Sequence, residues 1–185
     1  MHILLTGPIR AGKSTALDGA LTITGRKPYG FRTRPAGPGW GVPGFLMEPA
    51  SPEDETPPRL FAWEEAGAWH VEPRVFEEMG ISLLREAFRR REEDRAVLIM
   101  DELGFFENMA PRFRDKVLAC LDQEEIPVLG VVKQKDTPFL ESARNHRNVQ
   151  VIPVTPENRD TLPGRIAALL EENWRTEGGD HVPVD

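Results

Sequence analysis

The sequence is poor in cysteine and has no long apolar run. Its one cysteine, Cys120, falls in a predicted helix and has no partner for a disulfide, so we expect a buried structural thiol. No stretch approaches the roughly 18 apolar residues that a membrane helix needs. Residues 1–7 lack the basic region and the small-residue cleavage site of a secretory signal. We therefore expect a cytoplasmic protein without a membrane segment.

Basic residues are fewer than acidic ones. The 23 Lys and Arg and the 30 Asp and Glu give a formal net charge of −7. This argues against extended nucleic-acid binding, since phosphate backbones are held by basic surfaces. A small anionic ligand stays compatible, because a nucleotide needs only a local site of backbone N–H groups, one lysine and a metal ion. The 185 residues fit one domain, which we place at residues 1–174, with a polar C-terminal tail at residues 175–185.

Apolar runs that are typical of buried strands alternate with helical periodicity along the chain. Strands are predicted at residues 2–6, 96–100, 128–132 and 149–154, and helices at residues 13–24, 75–88, 108–123, 138–146 and 157–174. A hairpin is predicted at residues 29–48 with a Gly/Pro-rich tip, and two further short strands at residues 60–63 and 68–71. Repeated alternation of strand and helix predicts a three-layer α/β fold: a mostly parallel central sheet, helices on both faces and a β-hairpin insertion.

The chemistry is concentrated in the turn after the first strand, where residues 7–14 match the Walker A pattern G-x-x-x-x-G-K-[ST]. Glycines allow backbone N–H groups to surround the β- and γ-phosphates, Lys13 adds a positive charge, and the Ser14 hydroxyl ligates Mg²⁺. The alternative, a glycine turn that caps a helix without binding anything, is the weaker interpretation. The predicted nucleotide-binding residues are Gly7, Pro8, Ile9, Arg10, Ala11, Gly12, Lys13, Ser14 and Thr15, and Lys13 is also predicted to be catalytic.

The strand predicted at residues 96–100 delivers two carboxylates, Asp101 and Glu102, at its end. P-loop sites use a Walker B aspartate to hold the magnesium ion, so we assign Asp101 with Ser14 to Mg²⁺. Glu102 is assigned as the general base for the attacking water. A structural cap for the next turn is the alternative role of Glu102.

Two further cations are candidates for stabilising charge on the γ-phosphate. Arg10 lies inside the loop, and Lys133 follows the strand predicted at residues 128–132, so both belong to the carboxyl edge of the sheet. A positioning role is at least as favoured for each. Residues 133–136 are out of step with the N-K-x-D signature that reads guanine, so no base preference is inferred.

With these motifs in view, the chain resembles a family of bacterial and archaeal P-loop nucleoside-triphosphatases whose human relative is the cancer-related nucleoside-triphosphatase. Beyond the Walker A loop, the resemblance rests on G-F-x-T at residues 30–33, a second Gly-Phe at 44–45, D-E-x-G at 101–104 followed by Glu107, and T-x-E-N-R-D at 155–160. It covers most of the chain. Between residues 34 and 44 this sequence departs from the family, which puts the role of the hairpin tip in doubt.

The resemblance implies a RecA-like P-loop fold and magnesium-dependent hydrolysis of ATP, GTP and other nucleoside triphosphates, with little base selectivity. It also places Asn158 and Arg159 near the nucleotide base. From the residues alone, Thr155 and Pro156 equally suit a helix start, with Thr155 as the N-cap.

Two other functions remain open at this stage. A nucleotide or small-molecule kinase uses the same loop, lysine and metal, and an arginine-bearing lid would come from Arg32, Arg34 and the hairpin tip. A nucleotide-switched binding module is the non-catalytic alternative, with the exposed Trp40 and the tip at residues 36–44 as its surface; no particular protein partner is indicated.

Overall fold

The computed structural model describes residues 1–93 and 95–174, whose strands form one sheet in the order β5-β4-β3-β2-β6-β7-β1-β8. The tail predicted at residues 175–185 lies outside the described residues, and the division into domain and tail stays a prediction. The strands are β1 (His2–Thr6), β2 (Lys27–Pro35), β3 (Gly44–Pro49), β4 (Arg59–Glu65), β5 (Ala68–Val71), β6 (Ala96–Leu103), β7 (Val128–Val132) and β8 (Val149–Pro153).

The sheet combines a parallel part and an antiparallel part. Strands β2, β6, β7, β1 and β8 are parallel neighbours, and β3, β4 and β5 continue from β2 in antiparallel pairs. The predicted hairpin and both short strands are thereby confirmed. Because β7 lies between β1 and β6, the turn after β1 and the end of β6 lie one strand apart at the same edge of the sheet.

Helices cover both faces of the sheet, as the sequence predicts. Leu4 and Leu98 pack with buried side chains of three helices, α2 (Ile81–Arg89), α3 (Pro111–Asp122) and α4 (Pro138–Arg144). Ile3 and Val97 pack on the other face with those of α1 (Lys13–Thr24) and α5 (Leu162–Asn173). Cys120 of α3 is fully buried, in agreement with a structural thiol. No helix in the described ranges has the length and apolarity to cross a membrane.

The last helix begins later than predicted, which also decides against Thr155 as its N-cap. Residues 155–161 form a turn, and α5 begins at Leu162 after Thr161. The Asn158 side chain stabilises this turn: its Oδ1 accepts from the Thr155 N–H at 2.9 Å and its Nδ2 donates to the Pro153 carbonyl at 2.8 Å. A local side-chain bond of this kind competes with helix formation.

Two other helices are interrupted near their predicted starts. The segment Val75–Gly80 is a π-helical turn that precedes α2, and its Phe76 and Met79 are both buried. Residues Phe106–Met109 form a 3₁₀ turn, and α3 starts at Pro111, where a proline costs no backbone hydrogen bond. Helix α4 ends at Arg144, two residues before the predicted end.

His2 is buried at the amino end of β1 in a fixed protonation state. Its Nδ1 accepts from the Val128 N–H at 3.2 Å, so Nε2 carries the proton that it donates to the Gln123 carbonyl at 2.9 Å. Burial lowers the pKa of His2 to about 4. Nδ1 therefore resists protonation in the folded state, because it already accepts the hydrogen bond from the Val128 N–H.

This arrangement predicts acid destabilisation that depends on His2. The neutral ring is fully compatible with the fold above the unfolded pKa of about 6.5, and stability is lost as the pH falls from there towards 4. Between pH 7 and pH 5 we expect the free energy of unfolding to drop by about 2 kcal/mol through this group. Urea denaturation of the wild type and of His2→Asn measures it. An equal drop in the variant, whose amide does not titrate, would contradict the assignment.

Candidate active site

The turn between β1 and α1 has a backbone that most side chains do not tolerate. Gly7 has φ +144° and Gly12 φ +96°, and Arg10 is one of the few residues other than glycine with positive φ, at +63°. A Cβ at Gly7 would lie 2.7 Å from the Val154 carbonyl oxygen. Both glycines of the Walker A pattern are therefore required by the local geometry, independently of any ligand.

Lys13 lies across this turn and is anchored by it. Its Nζ donates to the carbonyl oxygens of Gly7 at 3.0 Å and Pro8 at 2.7 Å. The following helix starts at Lys13 and has no acidic residue in its first turn, so positive potential from the helix dipole and the ammonium add at one place. Ser14 and Thr15 are exposed on the same turn. The loop is thus a concave cationic site of the type that binds phosphate groups.

Asp101 lies beside this loop although β7 separates β6 from β1 in the sheet. Asp101 is 4% exposed, and it lines the same cleft as Ser14 of the loop. Burial raises the pKa of Asp101 to about 6, and the nearby Arg32 guanidinium acts in the opposite direction. The fold therefore brings Ser14 and Asp101, which are predicted to share a metal ion, into the same cleft.

Arg32 is a site residue whose role the sequence did not reveal. Its position on β2 pairs in register with Asp101 on β6, and its Nη1 lies 3.8 Å from Asp101 Oδ2. Its Nη2 donates to Asp18 of α1 at 2.7 Å. Arg32 accordingly lies in the sheet beside the carboxylate, and not in a lid. The G-F-x-T motif was the available signal, but its pairing with β6 is a tertiary fact.

Glu102 points into the site because the ladder between β6 and β7 is irregular there. Asp101 pairs with Val131 and Leu103 with Val132, so Glu102 is an extra residue in its strand. Its Oε1 lies 3.9 Å from Lys133 Nζ. The half-buried carboxylate is therefore close to the phosphate loop and held near a cation.

Glu107, noted in the sequence only as part of a motif, is buried underneath this region. It is 2% exposed, and its Oε1 accepts from the Gly104 N–H at 3.0 Å. Within the described chain Oε2 has no hydrogen-bond partner, and burial raises the pKa of Glu107 to about 7. The side chain ties the 3₁₀ turn to the strand end that carries Glu102.

A cleft of about 470 Å³ joins these groups. The sequence predicted its loop residues, its carboxylates and Lys133, and it named Arg34 only as part of a lid. It assigned no site role to Thr33, Pro35 and Phe45, which the β2–β3 hairpin contributes. A larger cavity of about 630 Å³ lies beside His2 and Trp174 and includes no residue of the phosphate loop. The cleft is lined by Ile9, Arg10, Gly12, Lys13, Ser14, Thr15, Thr33, Arg34, Pro35, Phe45, Asp101, Glu102, Val131 and Lys133.

The late motif lies on the other side of the phosphate loop. A Cβ at Gly12 would come within 4.0 Å of Arg159 Cβ, so Arg159 flanks the loop, with its half-exposed guanidinium 3.7 Å from Asp160. Asn158 is next to it, but its amide is engaged in the turn described above. Ile9 and Arg10 are exposed at the rim, and Lys133 lies at the far side near Glu102.

The glycine loop, the cleft that Ser14 and Asp101 share and the parallel sheet define a P-loop NTPase fold of the predicted class. The chain matches the model of the NTPase family over residues 2–167, and it belongs to that family. This confirms the resemblance inferred from the sequence motifs.

Two nucleoside-triphosphatases align with this chain over nearly their whole length. The nucleoside-triphosphatase THEP1 of Aquifex aeolicus is 28% identical over 92% of this chain and 99% of its own. The human cancer-related nucleoside-triphosphatase is 29% identical over 93% and 97%. The crystal structure of the Aquifex protein superposes with a TM-score of 0.77, and the solution structure of a human cancer-related nucleoside triphosphatase, at 24% identity, shows the same fold with 0.75.

The buried Glu107 predicts a loss of stability at high pH. Its pKa of about 7 in the folded protein exceeds the 4.5 of an exposed glutamate, so its contribution is fully present below pH 4.5 and is lost as the pH rises through 7. Between pH 5.5 and pH 8.5 we expect the free energy of unfolding to fall by about 2 kcal/mol through this group. Urea unfolding of Glu107→Gln, which stays neutral, should lack that component. The same pH dependence in both proteins would show that the carboxyl is ionised throughout.

Proposed function

We propose that the protein is a magnesium-dependent nucleoside-triphosphatase that removes the terminal phosphate of ATP, GTP and other nucleoside triphosphates with little selectivity for the base. The observation that carries this proposal is that the buried Asp101 lines the same cleft as Lys13 and Ser14 of the phosphate loop. A phosphate-binding turn and a carboxylate–hydroxyl pair in one cleft are the parts that phosphoryl transfer from a triphosphate requires.

Binding of the triphosphate is assigned to the loop. The backbone N–H groups at the start of α1 and the Lys13 ammonium face the same concave turn, and both favour anionic oxygens. On binding, Lys13 exchanges its carbonyl acceptors in Gly7 and Pro8 for phosphate oxygens. Because these donors are fixed by the positive-φ backbone, little reorganisation accompanies binding.

The residues at the loop fit a magnesium ion. Asp101 and Ser14 offer hard oxygen ligands in one cleft, and Mg²⁺ is commonly bound through one or two carboxylates together with substrate phosphates. Across the described residues, no group of three or more His, Cys, Asp or Glu side chains forms a self-sufficient metal cage. When bound, the ion would neutralise charge on the β- and γ-phosphates. A cation would also favour the ionised form of the buried Asp101.

Glu102 is the proposed general base. Its carboxylate accepts a proton from the attacking water while the bond between the γ-phosphorus and the bridging β-oxygen breaks, which releases orthophosphate and a nucleoside diphosphate. Lys133 Nζ, 3.9 Å from Glu102 Oε1, holds the Glu102 carboxylate in the cleft. The β6 irregularity supports this role, because it turns Glu102 towards the loop.

Low base selectivity is supported by the turn that flanks the loop. The side-chain amide of Asn158 is held by its bonds to Thr155 and Pro153, which fix its orientation within the turn. Arg159 offers a planar guanidinium, and stacking on such a surface does not distinguish one base from another. Of the two residues expected near the nucleotide base, we therefore assign base contact to Arg159. Asn158 shapes the turn that presents it.

Lys13→Ala and Glu102→Gln should separate binding from chemistry. Loss of Lys13 removes a charge from the phosphate site, so calorimetry should show weaker Mg·ATP binding. Glu102→Gln should retain binding but reduce single-turnover phosphate release by about 10²–10⁴-fold, the usual contribution of a general base. Lys27→Ala and Glu65→Gln, which alter exposed charges outside the cleft, serve as matched controls. Unchanged turnover in Glu102→Gln would make Glu102 a structural cap.

Asp101→Asn tests the metal assignment. Removing the ligand charge should raise the magnesium concentration for half-maximal phosphate release by about tenfold or more, since charge-assisted interactions contribute on the order of 1.5–3 kcal/mol. Asp122→Asn, an exposed carboxylate on α3, is the control and should leave the magnesium titration unchanged. Phosphate release that is independent of magnesium in the wild type would refute metal dependence.

A further inference from the structure

An aromatic surface continues from the cleft towards the edge of the sheet. It consists of Phe45, Trp69, Phe105 and Phe106, and we call it the aromatic wall. Trp69 stacks on Phe45 with ring centroids 5.6 Å apart and contacts Phe106 at 5.4 Å, and Phe105 lies 4.2 Å from Phe106. Trp69 is 47% and Phe105 39% exposed. Large rings of this kind usually lie inside a protein unless they bind something.

The wall begins where the catalytic groups end. Phe45 lines the cleft, and Lys133 Nζ lies 5.5 Å from its ring centroid and 3.9 Å from Glu102 Oε1. In the sheet, β8 and β1 lie on one side of β6, and β3, β4 and β5 lie on the other. Arg159 and the wall are therefore at opposite ends of the phosphate site. A triphosphate whose base lies near Arg159 directs its γ-phosphate towards Asp101, Glu102 and the wall.

We propose that the aromatic wall binds the base of a nucleoside, and that a hydroxyl of this nucleoside accepts the γ-phosphoryl group. The proposal rests on the proposed function for its donor site, and it adds a second substrate. Planar heteroaromatic groups stack on exposed Trp and Phe rings. An acceptor held on the side of the γ-phosphate away from the donor is placed for in-line attack.

A nucleoside suits the site better than a nucleoside monophosphate. A neutral hydroxyl must lose its proton on attack, and Glu102 supplies a base at the start of the wall, whereas an anionic phosphate acceptor needs none. The cations beside the wall are already paired: Arg34 Nε bonds Glu48 at 2.7 Å, and Lys133 lies next to Glu102. A second phosphate group would have to compete with these carboxylates.

The step balances without any redox partner. The acceptor hydroxyl oxygen forms a bond to the γ-phosphorus, the bond from that phosphorus to the bridging β-oxygen breaks, and the hydroxyl proton passes to Glu102 and then to solvent. The products are a nucleoside monophosphate and a nucleoside diphosphate. In the absence of the acceptor, water takes its place and orthophosphate is released.

The test uses the full chain with Mg·ATP and a panel of purine and pyrimidine ribo- and deoxyribonucleosides or, in separate reactions, their monophosphates. The phosphorylated acceptor and orthophosphate are both quantified. We expect monophosphate from at least one nucleoside. In Trp69→Ala, the KM for that nucleoside should rise about 5- to 100-fold, the range for loss of one base–aromatic stack, while phosphate release without nucleoside is unchanged. Phe105→Ala, a second exposed ring, should act in the same direction if Trp69→Ala fails to fold.

Trp63→Ala is the matched control, because Trp63 stacks on His70 at 5.5 Å and is not part of the wall. It should change neither KM nor phosphate release, and thermal unfolding verifies that each variant is folded. Phosphate release without monophosphate from any nucleoside would overturn this inference and leave the triphosphatase intact. So would phosphorylation of nucleoside monophosphates alone, or an unchanged KM in folded Trp69→Ala and Phe105→Ala. Absence of phosphate release in every condition would instead contradict the proposed function itself.

Discussion

The parallel register of β1, β7, β6 and β2 is the constraint on which the site depends. Parallel strands end at the same edge of a sheet, so the loop after β1 meets the carboxylates of β6, although almost a hundred residues separate them in the sequence. The same register places Arg32 opposite Asp101. Helices on both faces bury the strands and hold this alignment, because a shift of one residue would turn each side chain to the other face.

Burial at this edge creates the electrostatic character of the site. Asp101 and Glu107 are nearly inaccessible to solvent, and burial raises the pKa of both. Their roles differ because their surroundings differ. Asp101 shares the cleft with the Ser14 hydroxyl and lies beside a guanidinium, whereas Glu107 meets a backbone amide below it. One carboxylate is thus suited to a cation, and the other supports the strand end that carries Glu102.

The antiparallel strands β3, β4 and β5 contribute side chains beside the phosphate loop and leave the residues of the loop itself unchanged. Strands β3, β4 and β5 extend the sheet next to a site that is otherwise formed by parallel strands. Phe45 belongs both to the cleft and to the aromatic wall, so a ligand at one is in reach of the other. The hairpin segment that departs from the family pattern, residues 34–44, leads directly into this ring.

The sequence by itself determined the elements whose signals are local. Gly7 and Gly12 occupy positive-φ positions that few other residues adopt, and continuous apolar runs mark strands buried on both faces, so loop, strands and fold class were all predictable. Only the tertiary structure decided which side chains meet across strands: Arg32 with Asp101, Phe45 with Trp69, and the Asn158 turn that delays α5. Register and side-chain burial are set by packing between distant segments, which leaves no periodic trace in the chain. The Asn158 bonds are local, but they compete with a helix start at Thr155 that the residues suit equally well.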